Sequence, residues 1–280
     1  MSRSTVAAAL AEGRALGLDR LDSHLLLAHV LKRPRTWLLA HDEAELSLVE
    51  MAAWRALAAR RAAGVPTAYL LGVKEFHGLT LEVGPAVLVP RPETELLVAC
   101  GSAALRRAAA GGNRQPRLVD LGTGSGAVAL AIKASHPGAQ VCASDDSADA
   151  LELARSNARR LGLDLDFRLG SWWEPWADER FDVALSNPPY VASGDPHLAA
   201  LGHEPRHALV AADEGLAALR SIVGQAAGHL RPDAWLWLEH GDRQAEAVRG
   251  LLAHAGFGSI ESCLDLAGRP RCTGGRRQAD

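Results

Sequence analysis

No run of about 18 consecutive apolar residues occurs in this 280-residue chain, so no membrane-spanning helix is expected. Cysteine is scarce. Cys100, Cys142, Cys263 and Cys272 form no C-x-x-C pair, which argues against a zinc cluster or a dithiol redox motif. The expectation is reduced thiols in a cytosolic protein. An excess of one charge is lacking too. Lys and Arg number 30 against 33 Asp and Glu, a net charge of -3, which argues against a protein that holds nucleic acid mainly by counterion release. The first residues lack the compact apolar segment of a secretory signal, and Glu12 and Asp19 interrupt a transit-peptide pattern. No internal repeat or low-complexity segment is present. Together these absences predict a cytoplasmic monomer with no membrane partner and no direct nucleic-acid partner.

What is present is a core. Apolar residues make up 48% of the chain, and the length suits one large domain with a small one beside it. Residues 1–65 read as helical. Leu18, Leu21, Leu25 and Ala28 recur at helical spacing, as do Leu46, Val49, Ala53 and Leu57. Gly64 and Pro66 end that region. Residues 66–90 break into short apolar runs, Leu79–Val83 and Val87–Val89, between glycines and prolines, which predicts a β-hairpin linker. Pro92 suits the first turn of a helix running to about Ala110.

From Arg117 strands alternate with helices. The strands are expected at Leu118–Leu121, Gln140–Ser144, Leu165–Leu169, Phe181–Leu185 and Ala234–Glu239, with two more near the end. The helices are expected at Ala127–Ala134, Ala148–Arg160, Gly215–Leu230 and Gln244–Ala255. This alternation predicts an α/β domain over 91–280, a parallel sheet with helices on both faces.

Two motifs stand at strand ends. The run LVDLGTGSGAVAL sets Gly122, Thr123, Gly124, Ser125 and Gly126 between a strand and a helix. Glycines there allow a tight turn and close approach of backbone to ligand, and a helix N-terminus favours an anionic group. The spacing is G-x-G-x-G rather than the G-x-G-x-x-G of dinucleotide folds. Asp145 ends the next strand, where a carboxylate accepts both hydroxyls of a ribose; the plainer alternative is that it caps the following helix. Asp120 ends the first strand, either beneath a ligand or holding loop amides. Trp172 and Trp173 offer an aromatic face for a base, or packing for the core. The second motif, Asn187-Pro188-Pro189-Tyr190, follows the strand FDVALS, in the crevice where open α/β sheets bind ligands.

GTGSG after the first strand with NPPY after the fourth resembles the methyltransferases that act on planar NH2 groups. The flanking sequence narrows this. DSHLLLAHVLKRPRTWLLAHDEAEL, PTAYLLGVKEFHGLTLEVGPAVLVPRPETELLV, LEHG and DLAGRPRCTGGR resemble the bacterial release-factor glutamine methyltransferases over most of the chain. The resemblance implies a Rossmann-like class I methyltransferase with a seven-stranded sheet, a helical substrate-recognition domain and a hairpin linker. It implies S-adenosylmethionine as cofactor, held by Gly122 to Gly126, Asp145, Trp172 and Asn187. The family often has Asp before its Trp. Ser171 stands there in this chain and Trp173 follows, so either indole is open as the adenine partner, with the spacing to Asn187 favouring Trp172.

The implied substrate is the glutamine of a Gly-Gly-Gln loop in peptide chain release factors, contacted by Asn187, Pro188, Pro189 and Tyr190. An amide is a poor nucleophile, so geometry carries the catalysis. The Asn187 side-chain carbonyl and the Pro188 backbone carbonyl would each accept one N–H, two prolines would stiffen the loop, and Tyr190 would pack on the flat group. A glutamine methyltransferase of a ribosomal protein and an N6-adenine methyltransferase of nucleic acid share NPPY, but the N-terminal helices, RPETE and the net charge disfavour them. The run His203-Glu204-Pro205-Arg206-His207 matches H-E-x-x-H, yet Pro205 opposes the continuous helix that a zinc protease needs, so no metal is expected.

Overall fold

The computed structural model describes residues 4–278, which divide after Val73 into two compact units. The first is helical: α1 (Val6–Ala15), α2 (Arg20–Leu31), α3 (Arg35–Ala40), α4 (Leu48–Ala62) and α5 (Thr67–Leu71). Each long helix begins at a side-chain cap. The Thr5 hydroxyl accepts from the Ala8 amide at 3.2 Å and Asp19 accepts from Asp22 at 2.8 Å. Ser47 and Glu50 form a reciprocal capping box at the start of α4.

The helices stand where the pattern put them, but two faces differ from the expected ones. In α2 the buried leucines are Leu26 and Leu27, while Leu21 is half exposed; in α4 Met51, Trp54 and Ala58 are buried, while Val49 is exposed. Apolar residues ring both helices, so period alone does not choose a face. The Trp54 indole is fully buried and decides the matter for α4, because burying the largest side chain removes the most apolar area from water.

The second unit, from Lys74 on, takes in the hairpin of β1 (Val73–Phe76) and β2 (Leu79–Glu82) except for its first residue. Helix α5 lies inside the stretch expected to be linker, bracketed by Pro66 at its start and Gly72, in the left-handed region, at its end. Val87–Val89 is not a strand. Gly84, Pro85 and Pro90 flank it, and the Val87 amide closes a turn onto the Gly84 carbonyl at 3.1 Å.

The rest alternates: α6 (Glu95–Ala110), β3 (Arg117–Leu121), α7 (Ala127–Ser135), β4 (Gln140–Asp145), α8 (Ala148–Leu161), β5 (Asp166–Leu169) and β6 (Phe181–Ser186). Then come the short β7 (Val191–Ala192) and β8 (Val210–Ala211), α9 (Ala217–Ala226), β9 (Leu230–Glu239), α10 (Ala245–His254), β10 (Phe257–Leu264) and β11 (Pro270–Arg277). Helix α9 starts later than its pattern suggests, because Asp213, Glu214 and Gly215 all adopt positive φ and cannot begin an α-helix.

Seven strands form one sheet in the order β10-β11-β9-β6-β3-β4-β5. The five from β9 to β5 pair in parallel, and β11 runs antiparallel to both its neighbours. The sheet is therefore Rossmann-like, with one reversed strand that alternation alone does not reveal. One face packs on α6 and α7 through Leu97, Leu105, Leu130 and Ile132. The other packs on α9 and α10 through Leu219, Ile222, Val248 and Leu252. The chain leaves β3 for β4 on one side and returns to β6 on the other, so the crevice that binds ligands in such folds opens at the carboxyl ends of these three strands. Among the described residues no helix is long and apolar enough to cross a membrane.

Candidate active site

A cleft opens at that switch point. Its walls are the segment from Ala86 to Arg91, the loop from Gly122 to Ser125, Asp145, Trp172, Asn187 and Pro189, and every residue lining it belongs to the second unit.

The glycine loop is stitched to the sheet rather than left open. The amides of Gly122 and Thr123 donate to the Ser144 carbonyl at 2.8 and 2.9 Å, and Gly126 donates to the Thr123 carbonyl at 2.9 Å. Gly122, Gly124 and Gly126 all take positive φ, which explains three glycines in five residues. Asp120 is buried under this turn. It accepts the Thr123 hydroxyl at 2.7 Å and the Ala129 amide at 3.3 Å, and burial pushes its pKa up to about 7.

Asp145 does not cap α8. Ser147 does, accepting from the Ala150 amide at 3.2 Å. Asp145 instead holds two amides, Gly124 on Oδ2 at 2.8 Å and Ser147 on Oδ1 at 3.0 Å. A carboxylate has about four lone-pair sites, so each oxygen keeps capacity for one further donor. Burial raises the Asp145 pKa, and two ligand hydroxyls would favour its charged form.

The two indoles part company. Trp172 takes positive φ, lines the cleft and leans over the loop, where a β-carbon on Gly122 would meet its ring at 3.0 Å. Its backbone carbonyl accepts from Ser144 Oγ at 3.2 Å. Trp173 is buried, stacks on His229 with ring centroids 4.9 Å apart, and donates its Nε1–H to the Ile222 carbonyl at 2.9 Å.

The Asn-Pro-Pro-Tyr turn is divided as well. Asn187 and Pro189 line the cleft; Pro188 is buried. Tyr190 packs against the core on the α9 side with its hydroxyl 3.5 Å from Glu239 Oε1, so its ring is not part of the cleft wall. Asn187 Nδ2 donates to the Thr94 hydroxyl at 3.3 Å. The Tyr190 carbonyl accepts from Gln244 Nε2 at 3.1 Å, and the Val191 amide donates to Leu209 at 2.9 Å.

Sequence reasoning missed several of these supports. Thr94, Glu239 and Gln244 hold the turn, and Arg91 and His207 line the cleft. Glu204 pairs with Arg91 and accepts the Val89 amide at 3.0 Å, fastening the segment before α6. The pair and the amide also settle what Glu204 does, while Arg206–Ala208 is only a short 3-10 turn, so His203 and His207 share no helix. A charged residue closing an apolar run, as in WLWLE, is the one sequence signal that points to a buried carboxyl such as Glu239.

This donor set suits an adenosyl sulfonium compound: a carboxylate with spare acceptor capacity, an indole on the wall, and an amide at the third strand end. Comparison with known proteins agrees. The profile of the PrmC N-terminal domain matches residues 4–72 and that of the methyltransferase small domain matches residues 97–242. The release factor glutamine methyltransferase of Bordetella pertussis is 50% identical over 262 residues, covering 92% of this chain and 95% of the relative.

This chain belongs to the release factor glutamine methyltransferase family.

Family members of the same name from Burkholderia pseudomallei, at 47% identity, and Vibrio cholerae, at 44%, cover 94% and 93% of the chain. A solved methyltransferase of Pyrococcus furiosus shares the fold at 17% identity, with a TM-score of 0.57 over 79% of this chain and 100% of that one. The 16S rRNA N2 G1207 methyltransferase of Thermus thermophilus, solved with S-adenosylmethionine and guanosine, does so at 21% identity, with a TM-score of 0.54 over 74% of this chain and 50% of that one.

Proposed function

We infer that this protein transfers a methyl group from S-adenosylmethionine to the side-chain amide of a glutamine in peptide chain release factors. The observation that carries this reading is full-length similarity to enzymes of that name, together with Asn187 lining the same cleft as Asp145 and Trp172. We assign Asp145 to the ribose hydroxyls of the cofactor, Trp172 to its adenine, and the turn from Gly122 to Gly126, above Asp120, to the amino-acid end.

When bound, the cofactor supplies an electrophilic methyl group on a sulfonium whose leaving group is neutral. The protein's task is geometric, because the amide lone pair is delocalised and reacts only when held in line. Asn187 donates its NH2 to Thr94, which leaves Oδ1 as its acceptor for one substrate N–H. The Pro188 carbonyl is the proposed acceptor for the second. Both bonds strengthen as positive charge develops on the substrate nitrogen, so they favour the transition state over the ground state. The methylated amide then loses one proton to water, and no side chain need act as base.

The finer substrate is the glutamine of a Gly-Gly-Gln loop, and the helical first unit, which lines no part of the cleft, is assigned to recognising the release factor in the cytoplasm. Mass spectrometry of purified release factors after incubation with the protein and S-adenosylmethionine tests this. A gain of one methyl group on that glutamine is expected. An unmodified glutamine, or methyl transfer to a ribosomal protein or adenine instead, overturns it.

A further inference from the structure

We propose that Asn157 is a positioning residue for cofactor binding, a buried tie that sets how far apart two walls of the cleft stand. This rests on the assignment of the cleft to S-adenosylmethionine, and it holds or fails apart from the choice of methyl acceptor.

Asn157 lies on α8, is fully buried, and stands behind the cleft rather than on its wall. Its side-chain amide reaches two segments far from it in the chain. Nδ2 donates to the Ser125 carbonyl in the glycine loop at 3.0 Å and to the Glu82 carbonyl at the end of β2 at 3.0 Å. Oδ1 accepts the Glu82 amide at 2.7 Å and Arg160 Nη2 at 3.3 Å. An amide side chain has two protons to donate and two lone pairs to accept with. All four are used, so this amide has one orientation. Turned over, its oxygen would oppose two carbonyls and its NH2 would oppose two donors.

Both anchored segments lead into the cleft. Ser125 lines it, in the loop assigned above to the amino-acid end of the cofactor. Glu82 is followed, after Val83, Gly84 and Pro85, by Ala86, where another wall begins. Pro85 has a fixed φ, and the Val87 amide closes a turn onto the Gly84 carbonyl at 3.1 Å, so little slack separates Glu82 from that wall. Helix α8 is also pressed against the glycine loop itself. A β-carbon on Gly126 would lie 3.2 Å from that of Ala154, one turn before Asn157. The two walls are thus referred to one helix, and through one amide to each other.

Holding the hairpin on α8 does not by itself require Asn157. Ser156 Oγ donates to Glu82 Oε2 at 2.9 Å, Arg160 pairs with the same carboxylate at 3.8 Å and also donates to the Thr80 carbonyl. Those bonds fasten β2 from outside without touching the loop. Of these side chains Asn157 alone continues to Ser125. The consequence is preorganisation: the free protein already holds both walls, so the cofactor does not have to order them on binding.

The test compares Asn157→Asp and Asn157→Ala with the wild type and with Ser156→Ala, which cuts only the outer fastening. Asn157→Asp keeps an acceptor for the Glu82 amide but removes both donated bonds, so that a carboxylate faces the Ser125 and Glu82 carbonyls. Both Asn157 variants should weaken S-adenosylhomocysteine binding roughly 10- to 100-fold, read by calorimetry. The KM for S-adenosylmethionine should rise in step, while kcat at saturating cofactor falls by no more than about threefold. Ser156→Ala should bind as the wild type does. A merely structural loss would lower the fraction of molecules that bind, seen in the stoichiometry and kcat, and leave the dissociation constant and KM alone.

A second readout needs no variant. Exchange of the Glu82 amide proton, followed by NMR, should slow when S-adenosylhomocysteine is added to the wild type, because a ligand that fixes Ser125 fixes Glu82 through Asn157. If neither Asn157 variant folds, that measurement decides the matter. A wild type that binds S-adenosylhomocysteine but leaves release factors unmethylated would undo the functional reading, while calorimetry and exchange would still judge this one. A wild type that binds none would undo both. An unchanged dissociation constant in the folded Asn157 variants, a fall in kcat at constant KM, or a Glu82 amide indifferent to the ligand would each overturn the proposal.

Discussion

Gly215 approaches the backbone carbonyl of Tyr190 so closely that a β-carbon on it would lie 2.1 Å from the oxygen. Gly215 also takes φ +88, so two independent constraints require glycine there. The loop that leads into α9 is thereby pressed against the end of the Asn-Pro-Pro-Tyr turn. Gly215→Ala must push one of them away. The expected outcome is a loss of about 1–3 kcal/mol in stability together with a fall in kcat, read by urea unfolding and methylation kinetics. Unchanged values for both would mean that the contact carries no constraint.

Asn187→Ala should slow the chemical step by roughly 10²–10³, the usual cost of one preorganised polar group, with a smaller effect on cofactor affinity. Single-turnover methylation at saturating substrate separates the two. Asn187→Asp keeps an acceptor oxygen but replaces the NH2 that Thr94 receives, so it should retain partial activity. A near wild-type rate for Asn187→Ala would reduce the turn to scaffolding.

The two adjacent tryptophans should respond in opposite ways. Trp172→Ala should weaken S-adenosylhomocysteine binding by about 1–3 kcal/mol, the range for an aromatic ring stacked on a base, with little effect on stability. Trp173→Ala empties a buried site and strands the Ile222 carbonyl, so it should cost about 3–5 kcal/mol of stability. Calorimetry beside thermal unfolding distinguishes them. Equal losses of affinity would mean that Trp172 does not face the adenine.

Asp120 gives the free protein a pH dependence of definite sign. Its pKa is raised by burial to about 7 in the folded state, against about 4 unfolded. The folded form therefore prefers the protonated acid. The stability this provides is complete below pH 4 or so and is lost as pH rises through 7, a change on the order of 1–4 kcal/mol. Asp120→Asn should flatten that decline. Urea unfolding of both proteins at pH 5 and pH 8 measures the difference, and parallel curves would show that Asp120 is not its source.

Much of this protein is legible without coordinates. Period-2 and period-3.6 patterns between glycines and prolines locate nearly every long element, since local propensity and burial agree there. The glycine loop, Asp145, Trp172 and Asn187 were legible because each stands in a short motif at a strand end, and in a parallel sheet strand ends converge.

Tertiary structure decided the rest. Which face of α4 is buried depends on Trp54 finding its partners. The reversal of β11 depends on pairing between segments with no local signature. Trp172 and Trp173 are chemically identical neighbours, separated only by the positive φ of Trp172, which turns one indole to the cleft and leaves the other in the core. Thr94 and Glu239 lie far from Asn187 in the chain, and no spacing rule joins them. Hydrogen bonds between distant residues are made only once packing has paid the entropy of bringing them together, so the sequence alone determined the elements and the chemistry at their ends, and the fold decided which side chains hold that chemistry in place.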